Sequence, residues 1–361
     1  MIGKELFTMS EQESVRYFLG ANTARGFYSL YDEFTGGEHV DFVWYIKGGP
    51  GNGKSTFMRR AAQAAEEAGY TVEYAMCSGD PGSLDGIYIR ETRTAYVDAT
   101  SPHVQEPSLP GATGKYIDLS AFYKKNAHFD KAAIRECFRQ YREQYARAYS
   151  LLRAASLIGA ESIPGLIDGN SRAAVRSLAR EQALSLPEFG AGGNTRRLFL
   201  SAYTCHGPVF FPELLKEIGK VIYLHSSTGL ESEYLWEIGA VCKERKLAFI
   251  CCPDPLDPDK PEGVLIPEVG LTFYTYHRGA KLPGNAVRHI NLDRYIPESL
   301  FSEHASEIRK CASLRSGLLR MATAALEKAK ACHDELEALY HPTVDFAALD
   351  RFAKKHLKEN I

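Results

Sequence analysis

The sequence predicts an α/β protein made of two similar units, each with a mostly parallel sheet flanked by helices. Three observations predict this class. Apolar runs typical of strands alternate with runs typical of helices. The first strand and helix of this kind are joined by a glycine-rich loop. The order of features in the first half of the chain then recurs in the second half, which is the signature of an internal repeat.

Length, composition and charge fit an ordinary globular protein. The 361 residues suffice for two domains, and 43 Lys and Arg against 45 Asp and Glu give a net charge of −2. This balance makes nucleic acid an unlikely partner. No apolar run approaches ~18 residues and the N-terminus has no basic flank before an apolar stretch, so we expect a cytoplasmic protein without membrane association. The eight cysteines include no C-x-x-C pair and predict neither a zinc site nor a disulfide scaffold.

The strongest signal is a glycine-rich loop between an apolar strand at 41–47 and an alanine-rich helix that ends near residue 68. The loop has the pattern G-x-x-x-x-G-K-S in the strand and helix context that this motif requires. Its glycines let backbone N–H groups point inward, and the following helix adds the positive end of its dipole, so the loop can cradle phosphates. The predicted binding residues are Gly48, Gly49, Pro50, Gly51, Asn52, Gly53, Lys54, Ser55 and Thr56.

Three side chains are expected to carry the chemistry of this loop. Lys54 would reach the β- and γ-phosphates, and the Ser55 hydroxyl would join the Mg²⁺ shell. A third strand, at 94–97, ends in Asp98. A carboxylate at the carboxyl end of a strand beside the loop is what a Mg²⁺ site needs, so we assign Asp98 to catalysis and to the metal together.

Two further residues are weaker candidates. Asp80 follows the second strand, at 71–77, where it could act as a base facing the γ-phosphate, because strand ends converge on the ligand crevice in such sheets. His103 follows Asp98 and could position a water or a substrate hydroxyl. Histidines in turns are more often only solvated, and neither residue is included in the predicted site.

The second half of the chain repeats the features of the first in the same order. Residues 18–26 are echoed by 199–207, with Thr23 and Gly26 matching Thr204 and Gly207. Further matches join 43–46 to 221–224, 74–77 to 249–252, 86–91 to 263–268, and 116–119 to 289–292. Individually these matches are short, but their preserved order predicts a tandem duplication.

The two copies differ where the chemistry would sit. Aligned without gaps through the loop, 48–56 corresponds to 226–234. Lys54 then corresponds to Ser232, Ser55 to Glu233, and Asp98 to Thr275. An acidic residue at 233 would repel phosphate. Joint loss of all three groups is expected if they serve one site, which strengthens the assignment of Asp98.

Helical segments follow each unit, and a glycine- and proline-rich stretch separates the units. Amphipathic periodicity predicts a long helix at 131–155, and helices at 299–341 and 346–358 end the chain. A polar helix at 171–186 lies in a composition typical of a mobile connector. We therefore predict an active domain at 1–165, a linker with a short helix at 166–195, and a degenerate repeat with C-terminal helices at 196–361.

Residues 48–56 and their flanks resemble the P-loop NTPase superfamily. The layout is similar to that of an uncharacterised bacterial family of tandem-repeat P-loop ATPase-like proteins, over nearly the whole chain. The resemblance implies two P-loop NTPase-like domains with Mg²⁺ and ATP or GTP as ligands. The sequence departs from that family at 226–233, which puts a second nucleotide site in doubt. No Asn/Thr-Lys-x-Asp motif for guanine is found, which favours ATP modestly.

The leading hypothesis is a Mg²⁺-dependent ATPase with one active site and a second repeat that serves regulation or docking. One alternative is a P-loop kinase that phosphorylates a small molecule or nucleotide, with Asp80 or Asp98 accepting the proton of the acceptor. A third is a module that binds ATP without hydrolysis and uses it to fix the domain arrangement. The protein or small-molecule partner is not identified by the sequence.

Overall fold

A computed structural model describes residues 14–101, 104–188, 194–277 and 282–361. Within them the chain forms two six-stranded mixed sheets, mostly parallel and flanked by helices, and a long helix near the C-terminus. This confirms the predicted α/β class and the mostly parallel sheets. His103 lies outside the described residues.

The first unit begins with a sheet of order β1-β5-β6-β7-β4-β8, in which β6 alone runs antiparallel to its neighbours. A separate hairpin is formed by β2 and β3. The strands are β1 (Arg16–Tyr17), β2 (Gly20–Thr23), β3 (Gly26–Ser29), β4 (Phe42–Lys47), β5 (Val72–Met76), β6 (Leu84–Ile89), β7 (Thr94–Asp98) and β8 (Gly114–Asp118). The helices that accompany them in sequence are α1 (Tyr31–Thr35), α2 (Lys54–Glu67) and α3 (Lys131–Leu157).

The second unit has a sheet of order β9-β13-β14-β15-β12-β16, and β10 pairs with β11 in a hairpin. Its strands are β9 (Thr195–Arg197), β10 (Ser201–Thr204), β11 (Gly207–Phe210), β12 (Lys220–His225), β13 (Phe249–Pro253), β14 (Pro261–Ile266), β15 (Leu271–Thr275) and β16 (Ala286–Asn291). The remaining helices are α4 (Gly169–Leu184), α5 (Glu213–Ile218), α6 (Glu231–Glu244), α7 (Glu298–Tyr340) and α8 (Phe346–Asn360).

The two sheets have the same strand order when their strands are matched in sequence, which supports the predicted duplication. Phe18 and Phe199, matched by the sequence comparison, pair with each other across the units. The Phe18 N–H donates to the Phe199 carbonyl at 2.8 Å, and the Phe199 N–H donates back at 3.0 Å. Reciprocal bonding between equivalent residues indicates an approximate two-fold relation between the units at this point.

The matched hairpins are closed by the same side-chain bonds. The Thr23 hydroxyl donates to the Gly26 carbonyl at 2.8 Å, and the Thr204 hydroxyl donates to the Gly207 carbonyl at 2.8 Å. Both glycines have positive φ, at 95° and 89°, a conformation that side chains with a Cβ rarely adopt. The residues that both copies retain here therefore serve the turn.

Each unit is covered on its outer face by a helix that follows the other unit in sequence. Helix α4 follows α3 of the first unit, yet its buried Val175 and Ala179 share a hydrophobic cluster with Leu235 of α6. Helix α8 follows α7 of the second unit, yet Leu349 shares a cluster with Phe57 of α2. The long helices α3 and α7, which precede α4 and α8 in the sequence, pack against each other. The segment predicted as a linker thus contains a helix built into the core of the second unit.

The inner faces of the two sheets contribute to one common core. Tyr45 and Val97 of the first sheet lie in the same buried cluster as Tyr223 and Leu265 of the second. Tyrosine and valine favour strands, and these side chains together with Leu265 fill the space between the sheets. Among the helices in the described ranges, none is both long and apolar enough to cross a membrane.

Replacing Leu349 with alanine is expected to destabilise the protein by about 2–4 kcal/mol, because Leu349 is buried against α2 and truncation leaves a cavity. The matched control is Leu314→Ala, since this leucine is 59% exposed on α7 and should change stability by less than about 0.5 kcal/mol. The free energy of unfolding is measured by urea denaturation. Equal values for the two variants would contradict the packing of α8 on the first unit.

Candidate phosphate-binding site

The predicted loop joins the carboxyl end of β4 to the first turn of α2. Gly51 and Gly53 adopt positive φ values of 67° and 80°, which only glycine takes up without strain. Gly53 is the residue before α2, so the helix begins at Lys54. The strand, loop and helix predicted from the sequence are therefore present, and the N-terminal dipole of a 14-residue helix is directed at the loop.

Lys54 and Asp98 meet beside this loop. Strand β7 lies next to β4 in parallel register, with Ile46 opposite Asp98, so the carboxylate ends its strand beside the point where the loop begins. The Lys54 Nζ lies 3.6 Å from Asp98 Oδ2 and donates to the carbonyl oxygens of Gly48 at 3.0 Å and Gly49 at 3.1 Å. The two side chains are only 14% and 13% exposed, which strengthens their interaction over that of a surface pair.

The other oxygen of Asp98 is held in place locally. Asp98 Oδ1 accepts hydrogen bonds from the Thr100 N–H, at 2.9 Å, and from the Thr100 hydroxyl. The remaining oxygen, Oδ2, faces Lys54, with its Nζ 3.6 Å away. A carboxylate fixed by one oxygen offers the second to a cation, so this geometry is compatible with the predicted role of Asp98 at a metal.

The remaining loop residues differ in their surroundings. Ser55 Oγ accepts a hydrogen bond from the Leu84 N–H at 3.0 Å and keeps a further lone pair for another partner. Asn52 is fully buried, Pro50 is half-buried, and Thr56 is exposed. The structure thus brings Ser55 and Lys54 to the same helix end, while Thr56 faces solvent.

The loop is covered by residues that the sequence did not suggest. A Cβ on Gly49 would lie 2.5 Å from the Tyr123 hydroxyl and 3.4 Å from the Tyr340 ring. A Cβ on Gly51 would lie 3.1 Å from the Glu337 carbonyl oxygen. Tyr340 and Glu337 belong to the last turns of α7, far along the chain. No local signal marks them, because their position depends on how α7 crosses to the first unit.

Asp80 lies in the loop after β5 and is held by several partners. Its carboxylate accepts from the Gly82 N–H at 3.0 Å and the Ser83 hydroxyl at 3.2 Å, and Lys330 of α7 lies 3.3 Å away. Cys205 and His206, in the hairpin turn of the second unit, place ligand-type atoms within 4.8 Å of it.

This cluster has the character of an ion pair between the units rather than a cation site. Burial, followed by the charge of Asp80, raises the pKa of the Cys205 thiol to about 11, so the thiol is protonated at neutral pH. The Lys330 ammonium already balances the Asp80 carboxylate. The predicted role of Asp80 as a base stays a hypothesis.

In the second unit, the donors of the corresponding loop bond a carboxylate of the same unit. The Ser227 N–H donates to both Asp293 oxygens, at 3.0 and 2.9 Å, and the Ser227 hydroxyl donates to Asp293 at 2.8 Å. The hydroxyls of Ser226 and Thr228 also donate to Asp293. An anionic side chain therefore takes the donors that a phosphate would need.

The residues that replace the predicted catalytic groups have structural partners in the second unit. Glu233, aligned with Ser55, is 4% exposed and forms ion pairs with Arg172 and Arg176 of α4. Thr275 ends β15 opposite Leu224, just as Asp98 ends β7 opposite Ile46. The alignment drawn from the sequence thus holds at this strand end, where the carboxylate is absent.

Comparison of the chain with protein-family models, with curated proteins and with solved structures gives no match.

Proposed function

We propose that the first unit binds Mg²⁺-ATP at residues 48–56 and hydrolyses it. The observation that supports this is the meeting of Lys54 with Asp98, at the ends of adjacent parallel strands and beside a glycine loop that opens a helix. The N–H groups of a glycine-rich loop at a helix N-terminus, a lysine and a carboxylate with free lone pairs form a set suited to a polyphosphate with its metal.

Each of these residues has a separate task in the proposed phosphoryl transfer. The loop N–H groups and the Lys54 ammonium would neutralise negative charge that develops on the γ-phosphoryl oxygens. Ser55 and Asp98 offer hard oxygen ligands and would hold Mg²⁺, which when bound supplies further positive charge to the phosphates. Asp98, fixed by Thr100, would keep its Oδ2 directed toward this region.

The second unit is proposed to regulate the first or to dock a partner rather than to bind nucleotide. Asp293 takes the donors of its loop, and Glu233 is committed to α4. Moreover, α7 of this unit contacts the loop of the first. A change in how the units pack would therefore change the surroundings of the proposed nucleotide site directly.

The reaction is tested by incubating the purified protein with Mg²⁺ and γ-labelled ATP, with and without a small-molecule extract of cells, and separating the labelled products. Free phosphate alone is expected. Label on a small molecule would identify a kinase instead. Binding without turnover would identify an ATP-gated interaction module, and absence of both binding and turnover would refute the proposal.

Replacing Asp98 with asparagine is expected to weaken activation by Mg²⁺ by roughly 10–100-fold, the range typical when a group supporting a metal site is removed. The matched control is Asp118→Asn. Asp118 ends β8 on the other side of β4 and accepts from the Ser120 N–H at 2.9 Å, the same local arrangement as at Asp98. The measurement is ATP turnover against Mg²⁺ concentration. An equal effect in both variants would remove Asp98 from the proposed site.

A further inference from the structure

The hydroxyl of Ser55, one of the proposed Mg²⁺ ligands, is held by the backbone of a neighbouring strand. Ser55 Oγ accepts from the N–H of Leu84, the first residue of β6, at 3.0 Å. The residues before Leu84 form the turn at 78–83, which joins β5 to β6. Because the Leu84 N–H moves with this turn, the position of the turn affects that of the Ser55 hydroxyl.

Asp80 closes this turn on itself. Its Oδ1 accepts from the Gly82 N–H at 3.0 Å, and its Oδ2 accepts from the Ser83 hydroxyl at 3.2 Å. The Asp80 backbone carbonyl also accepts from the Ser83 N–H at 2.8 Å. Ser83 directly precedes Leu84, so a shift of the Asp80 carboxylate is passed on to the Leu84 N–H.

The second unit holds the same turn from outside. Lys330 Nζ, on α7, lies 3.3 Å from Asp80 Oδ2, and both side chains are only 25% exposed. The buried amide of Asn22 donates to the Ser78 carbonyl at 3.2 Å and to the Tyr203 carbonyl of β10 at 3.0 Å. The turn is thus tied directly to the long helix of the second unit and, through Asn22, to the hairpin of that unit.

The equivalent positions of the second unit cannot make the bond to the hydroxyl. Pro261 begins β14 as Leu84 begins β6, and the alignment of the two halves matches these residues. Proline has no N–H to donate. Ser55 is matched by Glu233, which is paired with arginines of α4. Donor and acceptor have therefore been replaced together, in the unit whose predicted catalytic groups are also replaced.

We propose that Lys330 is a positioning residue for the magnesium site: through its ion pair with Asp80 it fixes the turn at 78–83, and through the turn the hydroxyl of Ser55. The inference rests on the proposed function of residues 48–56 and Asp98. Since Lys330 lies on α7, the first unit holds Mg²⁺ at full strength only while the second unit is docked. Lys54 and the loop N–H groups do not depend on this link.

The test compares Lys330→Ala with the wild type by ATP turnover against Mg²⁺ concentration. The Mg²⁺ concentration for half activity is expected to rise roughly 3–20-fold, the usual extent of coupling through a network of contacts. Affinity for a non-hydrolysable ATP analogue without Mg²⁺ should stay unchanged. Lys330→Arg keeps the charge and should restore the Mg²⁺ dependence of the wild type. The fold should survive, because Ala325 and Leu326 of α7 are buried in one cluster with Ala148 of α3.

Hydrogen exchange at the Leu84 amide gives a readout that needs no nucleotide. Leu84 is buried and its N–H is bonded to Ser55 Oγ, so exchange requires the turn to open. Exchange is expected to be faster in Lys330→Ala than in the wild type. In Lys330→Arg it should return to the wild-type rate.

Two control variants show whether the effect belongs to this ion pair. Lys328→Ala removes an exposed lysine of the same helix. Glu213→Gln breaks another ion pair between the units, that of Glu213 on α5 with Arg16 on β1, whose side chains are 10% and 17% exposed. Both controls should keep the Mg²⁺ dependence of the wild type.

The outcomes separate this inference from the function on which it rests. If the wild type hydrolyses ATP and Lys330→Ala needs no more Mg²⁺ than the wild type, the role of Lys330 is refuted while the proposed function stands. An equal effect in Glu213→Gln would also refute it, since general loosening of the units would then be the cause. Unchanged exchange at Leu84 would exclude the route through the turn. If the wild type neither binds nor hydrolyses ATP, both proposals fall.

Discussion

Replacing Lys54 with alanine is expected to lower ATP turnover by at least about 100-fold, the usual consequence of removing one preorganised group that stabilises transition-state charge. The ammonium lies at the mouth of the loop, bonded to the Gly48 and Gly49 carbonyls and 3.6 Å from Asp98. No other described lysine or arginine forms an ion pair with Asp98. Negative charge that develops on the phosphate during transfer would therefore lose the cationic side chain of this site.

The fold should survive this substitution. Asp98 keeps both hydrogen bonds from Thr100, and Lys54 occupies the first position of α2, where alanine is a good helix former. The control is Lys355→Ala, which removes a lysine that is 75% exposed on α8. Release of labelled phosphate is measured alongside the circular dichroism spectrum. Turnover at the wild-type level in Lys54→Ala would overturn the proposed site.

The local parts of this site could be predicted from the sequence because short-range rules determine them. The strand expected at 41–47 is β4, the helix expected from the loop to residue 68 is α2, and the strand ending in Asp98 is β7. Glycine spacing, apolar runs and helix formers act over a few residues. The proximity of Asp98 to Lys54 then follows from placing β7 beside β4, the usual neighbour relation in such sheets.

The exchange of outer helices could not be predicted in the same way. Periodicity shows that one face of α4 and one face of α8 is apolar, but it does not show which surface each face covers. Helices α2 and α6 both present small and apolar residues to their partners. The position of α8 on the first unit depends on the lengths of α3 and α7 and on how these two helices cross. The same crossing places Glu337 and Tyr340, in the last turns of α7, beside the loop.

The loop of the second unit shows another feature that could not be predicted from the sequence. The sequence predicts that an acidic residue at 233 repels phosphate. In the structure Glu233 is buried against Arg172 and Arg176, so its charge is neutralised by α4. The residue that takes the donors of this loop is Asp293, which follows β16 and carries no recognisable motif. Asp293, and not Glu233, is therefore the acidic side chain that accepts hydrogen bonds from the donors of this loop.

A buried ion pair holds the two units together at the edges of their sheets. Glu73 of β5 bonds Arg196 of β9 at 2.7 Å and Arg90 at 2.8 Å, and its side chain is 4% exposed. Arg196 also donates to the Tyr17 hydroxyl at 3.0 Å. Replacing Glu73 with glutamine should cost about 3–5 kcal/mol of unfolding free energy, because the largely buried guanidinium of Arg196, whose side chain is 19% exposed, is left without its counter-charge.

The matched control is Glu217→Gln, which removes another partner of Arg90. Glu217 is 43% exposed, so the loss of unfolding free energy should stay below about 1 kcal/mol.

Burial raises the pKa of Glu73, but Arg196 and then Arg90 outweigh it and lower that pKa to about 2. A carboxyl with a depressed pKa in the folded state stabilises the protein above its unfolded value near 4.5, and this contribution is lost as the pH falls toward 2. Urea denaturation from pH 7 to pH 3 should therefore show a smaller loss of stability in Glu73→Gln than in the wild type. Parallel loss in both proteins would mean that other carboxylates, and not this link between the units, govern unfolding in acid.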